Sequence, residues 1–96
     1  MRTIRNLISE NKQVYVVLKT KAIKYRFMSD AEREGITYYG GTLPTERMVE
    51  DIMSIRADGT IWFLGWAGRI LEHNAKKKFK VDYEKYIDGA DDYLIG

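Results

Sequence analysis

The residues of this chain that are best suited to ligand chemistry are cations and aromatic rings in the stretch VYVVLKTKAIKYRFM, residues 14–28. Lysine and arginine contact phosphates through their charge, and a tyrosine ring offers a flat surface on which a nucleic-acid base can stack. The candidate residues for binding nucleic acid or another anion are Tyr15, Lys19, Lys24 and Arg26.

The same stretch predicts the element that positions these side chains. Val14–Leu18 is rich in β-branched and aromatic residues, and Ile23–Phe27 alternates with the period of a strand that has one buried face. We therefore expect a hairpin over about residues 13–28, with Tyr15 opposite Arg26 on its outer face. The alternative is an outer strand whose lysines only keep it soluble and prevent edge pairing.

A second hairpin is predicted over about residues 51–65 because Asp58-Gly59 lies between two apolar runs. Asp-Gly suits a two-residue turn, in which both central residues adopt positive φ. This turn pairs Ile55 with Trp62. Both faces of the hairpin are then largely apolar, which is typical of a central pair of strands or of an interface.

Short helices are predicted around the two hairpins. The first is capped by Thr3 and has Ile4, Leu7 and Ile8 on its buried face, and the second is opened by Ser29–Glu32 and ended by Gly35. Residues 45–51 form either a short helix that buries Met48 and Val49, which we favour, or the start of a strand. The last helix runs from about Val81 to Asp88, and Gly89 ends it. The chain, residues 1–96, is therefore expected to form a single small α+β domain, with an antiparallel sheet built from two hairpins and helices packed on it.

The composition excludes several classes of site. The 96 residues include no cysteine, which removes disulfides, thiolate zinc sites and cysteine nucleophiles. The first residues form no apolar signal segment, and no apolar run approaches the ~20 residues that span a bilayer. We expect a cytoplasmic protein that does not enter a membrane.

No catalytic or cofactor motif is evident. His73 is the only histidine, and the residues around it suggest neither a nucleophile nor further metal ligands. Gly65–Gly68 lacks the spacing of a nucleotide-binding loop and indicates a bend, and Asp91-Asp92 lacks the spacing of a calcium loop. We therefore expect a protein without catalytic activity, cofactor or metal.

Charge is unevenly distributed along the chain. Residues 1–28 hold seven basic side chains and one acidic one, whereas residues 82–96 hold five acidic side chains and one basic one. Either these segments neutralise each other in the fold, or a basic face meets an anionic partner. We interpret the basic run KKKFK, residues 76–80, as a solvated turn.

Three functional hypotheses follow, and the third, an enzyme, ranks last because no catalytic motif is evident. The first is a binding protein that engages nucleic acid or a nucleotide through the basic hairpin face. The second is a small inhibitor or adaptor that acts on a host protein, since the size and the lack of catalytic motifs are typical of accessory proteins of phages and mobile elements. Its candidate protein-interface residues are Tyr38, Tyr39, Ile61 and Phe63. A homodimer is also expected, in which Ile61 and Phe63 are buried.

Overall fold

The computed structural model describes residues 2–9, 13–64 and 80–95. In chain order its elements are α1 (Ile4–Ser9), β1 (Gln13–Val17), α2 (Lys21–Arg33), β2 (Thr37–Tyr38), a 3₁₀ helix (Pro44–Glu46), β3 (Ile52–Arg56), β4 (Thr60–Phe63), β5 (Lys80–Asp82) and α3 (Tyr83–Ile87). The described strands form one sheet in the order β2-β4-β3-β1-β5. The α+β prediction is confirmed.

The sheet is mixed, so the prediction of an antiparallel sheet built from two hairpins is wrong. Strand β3 pairs antiparallel with β1 and with β4, whereas β5 runs parallel to β1 and β2 runs parallel to β4. In the register of β1, Tyr15 lies opposite Ser54 on one side and Lys80 on the other, not opposite Arg26.

The second half of the first predicted hairpin is helical. The Thr20 side chain caps α2 by accepting a hydrogen bond from the Ile23 backbone N–H at 3.1 Å. Ile23, Phe27 and Ala31 follow at helical spacing and are buried, whereas Tyr25 is 50% exposed. A strand would have buried Tyr25 together with Ile23 and Phe27, but the thirteen-residue helix buries a continuous stripe instead.

The ends of the helices agree better with the predictions. Gly35 lies just beyond α2 with φ of +76°, as predicted, although Ser29 lies inside this helix and does not open it. The Thr3 hydroxyl accepts from the Asn6 N–H at 3.1 Å and caps α1. Helix α3 begins after Asp82, so it is shorter than predicted, and Gly89 follows it with φ of +86°.

The second hairpin is present, but its loop contains three residues. The Gly59 N–H donates to the Arg56 carbonyl at 3.0 Å, and Gly59 alone in this loop has a positive φ, of +83°. The Asp58 carboxylate accepts from the Thr60 N–H at 3.1 Å. A three-residue loop with glycine in the left-handed region is the next commonest hairpin connection after the two-residue turn that was predicted.

The longer loop shifts the register by one residue. Ile55 lies opposite Ile61, and Trp62 lies opposite Ser54, so the predicted pairing of Ile55 with Trp62 is wrong. Because strand side chains alternate, the shift moves Trp62 to the other face of the sheet and places Ile61 on the core side. Strand β3 is central in the sheet. This is one of the two arrangements that the apolar faces of the hairpin predicted, the other being an interface.

One face of the sheet packs against the helices. The buried hydrophobic residues of this core are Ile4, Leu7, Ile8, Val14, Val16, Leu18, Ile23, Phe27, Met28, Ala31, Ile36, Tyr38, Val49, Met53, Ile55, Ile61, Val81, Tyr83 and Tyr86. The predicted helix within residues 45–51 is reduced to the 3₁₀ helix that ends at Glu46, and Met48 is exposed while Val49 is buried.

Some predictions fall outside the described residues. They concern Gly65–Gly68, His73 and residues 76–79 of the basic run, whose last residue, Lys80, begins β5. In the described ranges, no helix has the length and apolar content needed to cross a membrane, and no group of three or more histidine, aspartate or glutamate side chains is placed to hold a metal ion.

Candidate functional site

The four predicted anion-binding residues do not share one surface. Tyr15 lies on β1, and Lys19 follows that strand and forms an ion pair with Asp82 at 3.1 Å. Lys24 and Arg26 lie on α2, where each residue turns the chain by about 100°, so two residues apart they point to nearly opposite sides of the helix. The hairpin face is therefore absent, and the binding of an anion by these residues stays a prediction.

The four predicted interface residues do lie together, at the edge formed by β2 and β4. The Tyr38 and Phe63 rings stack with centroids 5.3 Å apart and planes 4° apart. Ile61 lies on β4 opposite Tyr38 and is only 1% exposed, so it already belongs to the core of this chain. Tyr39 is 69% exposed and is the most accessible of the four.

Three residues of this edge were not among the four candidate interface residues. The Trp62 ring stacks on Tyr39 with centroids 4.1 Å apart, and the Arg56 guanidinium carbon lies 3.7 Å from the Trp62 ring centre. On the other face of the sheet, the Arg47 guanidinium carbon lies 4.2 Å from the Phe63 ring centre. We call these residues the aromatic edge: Tyr38, Tyr39, Arg47, Arg56, Trp62 and Phe63.

Local backbone structure explains the two stacks. Trp62 and Phe63 are consecutive in β4 and therefore point to opposite faces of the sheet. The Gly41 N–H donates to the Tyr38 carbonyl at 2.9 Å, and both Gly40 and Gly41 have positive φ, so residues 38–41 form a tight turn that includes Tyr39. The turn holds the Tyr39 ring at the tip of the edge, above Trp62.

Arg47 is held by the backbone as well as by its ring contact. The buried Tyr38 hydroxyl donates a hydrogen bond to the Arg47 carbonyl. Burial raises the pKa of Tyr38, and the positive charge of Arg47 opposes this effect in part. Tyr38 is therefore neutral at physiological pH and keeps the proton with which it fixes the segment that carries Arg47.

Exposed apolar side chains concentrate in the chain segment that carries Tyr39 and Arg47. Of the five large hydrophobic residues that are exposed in the described part of the chain, Tyr39, Leu43 and Met48 lie within ten consecutive residues. Interfaces are enriched in tyrosine, tryptophan, methionine and arginine, and these are the residue types gathered here. The aromatic edge and its sequence neighbours are therefore rich in the residue types that are common in protein interfaces.

Two small clefts flank Trp62. One of about 260 Å³ is lined by Tyr38, Tyr39, Thr42, Arg47, Ile61, Trp62 and Phe63, and the other, of about 250 Å³, by Gln13, Tyr15, Ser54, Arg56, Trp62, Phe63 and Leu64. Both are smaller than the ~300–1,000 Å³ of pockets that enclose small ligands. They suit single side chains or bases of a larger partner, and the second brings the predicted Tyr15 beside Arg56.

A larger cleft of about 560 Å³ lies elsewhere, beyond the carboxyl end of β1. It is lined by Val17, Lys19, Asp51, Ile52, Lys80, Asp82, Lys85, Asp92, Leu94 and Ile95. Lys85 and Asp92 form an ion pair at 3.0 Å, which raises the pKa of Lys85 and lowers the pKa of Asp92. Three lysines and three aspartates balance each other here, so the cleft does not favour a ligand of either charge.

Comparison with known proteins gives no match. No protein-family model, curated protein or solved structure matches this chain.

Proposed function

We propose that this protein is a non-catalytic binding module that docks on a partner protein through the aromatic edge, as an inhibitor or adaptor. The observation that carries the proposal is the exposed Tyr39 ring, which stacks on Trp62. A large exposed ring that is already held in place loses little conformational freedom on binding, which is why tyrosine is common in interfaces.

The same surface indicates the chemistry of the partner. An apolar or aromatic side chain would pack on the free face of Tyr39. Arg47 and Arg56 stack on rings through their guanidinium faces, and a stacked guanidinium keeps N–H donors in its own plane, where a carboxylate can accept them. The partner is therefore a protein surface that combines an apolar side chain with acidic neighbours.

Site-specific crosslinking tests this proposal. A photoreactive phenylalanine analogue would replace Tyr39 in the cells that naturally make the protein, and Tyr25 would be replaced in a matched control. Tyr25 is also an exposed tyrosine, at 50%, but it lies on α2 away from the aromatic edge. We expect one defined protein adduct from position 39 and none from position 25.

Truncation of the same two side chains measures the affinity. Tyr39→Ala should cost about 2 kcal/mol of binding free energy, or about 30-fold in Kd, because central interface tyrosines typically contribute this much. Tyr25→Ala should change Kd less than about twofold. Equal effects of the two substitutions, or adducts from both positions, would contradict docking at the aromatic edge.

A second candidate is binding of single-stranded nucleic acid by the same surface. The observation that favours it is the stack of Arg56, Trp62 and Tyr39, which a base could extend on the free face of Tyr39. Titration with oligothymidylate at low salt, followed by tryptophan fluorescence, tests it. If the oligonucleotide quenches the fluorescence, and if Tyr39→Ala abolishes the quenching and added salt weakens it, the result would support nucleic-acid binding over a protein partner.

Self-association is a separate proposal. A second copy of the chain would cover Tyr39 and the exposed part of Phe63, whereas Ile61 is already buried in its own core. Sedimentation velocity at tens of micromolar distinguishes a dimer from a monomer. A dimer that Tyr39→Ala dissociates would identify the aromatic edge as its interface.

A further inference from the structure

Two arginines on helix α2 share one buried carboxylate. Asp30 is only 3% exposed, and it accepts hydrogen bonds from the Arg26 Nε–H at 3.0 and 3.1 Å and from an Arg33 Nη2–H at 2.9 Å. The Tyr83 hydroxyl donates to the same carboxylate at 2.6 Å. Asp30 is therefore fully engaged on its buried side and fixes both guanidinium groups.

The guanidinium groups themselves face solvent. The side chains of Arg26 and Arg33 are 54% and 61% exposed. A guanidinium carries five N–H donors, and Asp30 uses one from each arginine. With one carboxylate between two cations, the cluster keeps an excess positive charge and outward-facing donors.

A hydroxyl completes the outer surface of this cluster. Arg26, Ser29 and Arg33 are spaced at i, i+3 and i+7, so they form one row along the helix, and Ser29 is exposed between the two arginines. Both arginines reach toward Asp30, which brings their guanidinium groups together from positions about 10 Å apart along the helix axis. Little rotamer freedom is left for a ligand to remove.

We propose that Arg26, Ser29 and Arg33 form a binding site for a phosphate group, carried either by a small compound or by a single strand of nucleic acid. Two converging guanidinium groups and a hydroxyl supply more donors than one carboxylate can accept, whereas the several oxygens of a phosphate can accept from all three side chains. The site lies on α2, goes beyond protein docking at the aromatic edge and does not depend on it. Of the residues that the sequence predicted to bind an anion, the proposed site contains Arg26 but not Lys24.

Titration of the unmodified protein with inorganic phosphate is the first test. The arginine Nε–Hε signals in a ¹⁵N-labelled sample report each guanidinium separately. We expect saturable shifts for Arg26 and Arg33 and unchanged signals for Arg47 and Arg56. Shifts confined to Arg47 and Arg56, or shifts in none of the four at millimolar phosphate, would overturn the proposal. This test uses the unmodified protein alone, so it does not depend on whether a variant folds.

Two matched substitutions form the second test. Arg33→Gln removes one guanidinium but leaves Asp30 bound to Arg26 and Tyr83, so the fold is retained. Lys24→Gln removes the same charge from the opposite side of the same helix. Arg33→Gln should weaken phosphate binding about tenfold or more, because a hydrogen bond between charged groups is lost, and Lys24→Gln should weaken it less than about twofold. Equal weakening would show general attraction to positive charge and overturn the site.

Parallel titrations identify the source of the phosphate. If the ligand is a strand, oligothymidylate binds more tightly than inorganic phosphate, and Arg33→Gln lowers the slope of log K against log salt by about 0.7. If the ligand is a small phosphate compound, inorganic phosphate and oligothymidylate bind equally per phosphate group. Either result supports the site, whereas oligothymidylate binding that Arg33→Gln leaves unchanged would contradict it.

Discussion

Replacing Tyr83 with phenylalanine tests how much the hydrogen bond between Tyr83 and the buried Asp30 carboxylate contributes to the stability of the fold. The Tyr83 hydroxyl is buried beneath α2 and donates to the Asp30 carboxylate at 2.6 Å, and its ring packs edge-on against Phe27 with centroids 5.1 Å apart. The substitution removes the hydroxyl and keeps the ring contact. It therefore isolates one hydrogen bond that joins α3 to α2.

The magnitude follows from the charge of the acceptor. A hydrogen bond to a charged group contributes about 1.5–3 kcal/mol, compared with about 1 kcal/mol for a neutral pair. Asp30 keeps both of its arginine partners, so the substitution leaves no unpaired buried charge. We expect Tyr83→Phe to lower the free energy of unfolding by about 2 kcal/mol, which corresponds to about 8–16 °C in Tm for a domain of this size.

Tyr86 provides a matched control because its hydroxyl donates to a neutral acceptor. It donates to the Thr3 carbonyl at 2.7 Å, so Tyr86→Phe should cost about 1 kcal/mol. Urea denaturation followed by circular dichroism measures both variants, provided that their m values agree with that of the unmodified protein. A Tyr83→Phe cost no larger than that of Tyr86→Phe would refute the charge-assisted role of Asp30.

Two further predictions concern pH and helix capping. Burial, together with the hydrogen bond to Asp30, raises the pKa of Tyr83 above that of an unfolded tyrosine. The contribution of Tyr83 to stability should therefore be retained up to about pH 10 and fall above it by up to about 1.4 kcal/mol per pH unit. Urea titrations at several pH values should accordingly show a less steep loss of stability in Tyr83→Phe than in the unmodified protein. Thr20→Ala removes the cap on the Ile23 N–H and should cost about 1 kcal/mol in the same assay at neutral pH, whereas an unchanged midpoint would argue against the cap.

The error in the first predicted hairpin has a specific cause. Alternation over the five residues Ile23–Phe27 fits a strand, but two of the apolar positions, Ile23 and Phe27, are also four apart and share a face in a helix. Only a longer window separates the two, because Ala31 continues the helical spacing and Thr20 is a suitable cap. Tyr25 caused the error because, in the sequence, it completes the alternation expected of the buried face of a strand, whereas in the structure it is an exposed residue of a helix.

The local sequence pattern could not predict which strands pair with β1. Strand β1 was correctly predicted, but its partners are β3 and β5, which are distant in sequence. Such pairing depends on how helices pack on one face of the sheet and not on the residues next to β1. The terminal helices were predictable because capping and burial both depend on neighbouring residues, as with Thr3 and α1.

The composition of the candidate site depends on one residue in the second hairpin loop. With a two-residue turn, Trp62 would share the face of Ile55, while Ile61 and Phe63 would face outward with Arg56. The three-residue loop reverses this arrangement, because it buries Ile61 and places Trp62 beside Arg56. The stack that presents Tyr39 therefore exists only in the observed register, and the residue types of the site were visible in the sequence while their contacts were not.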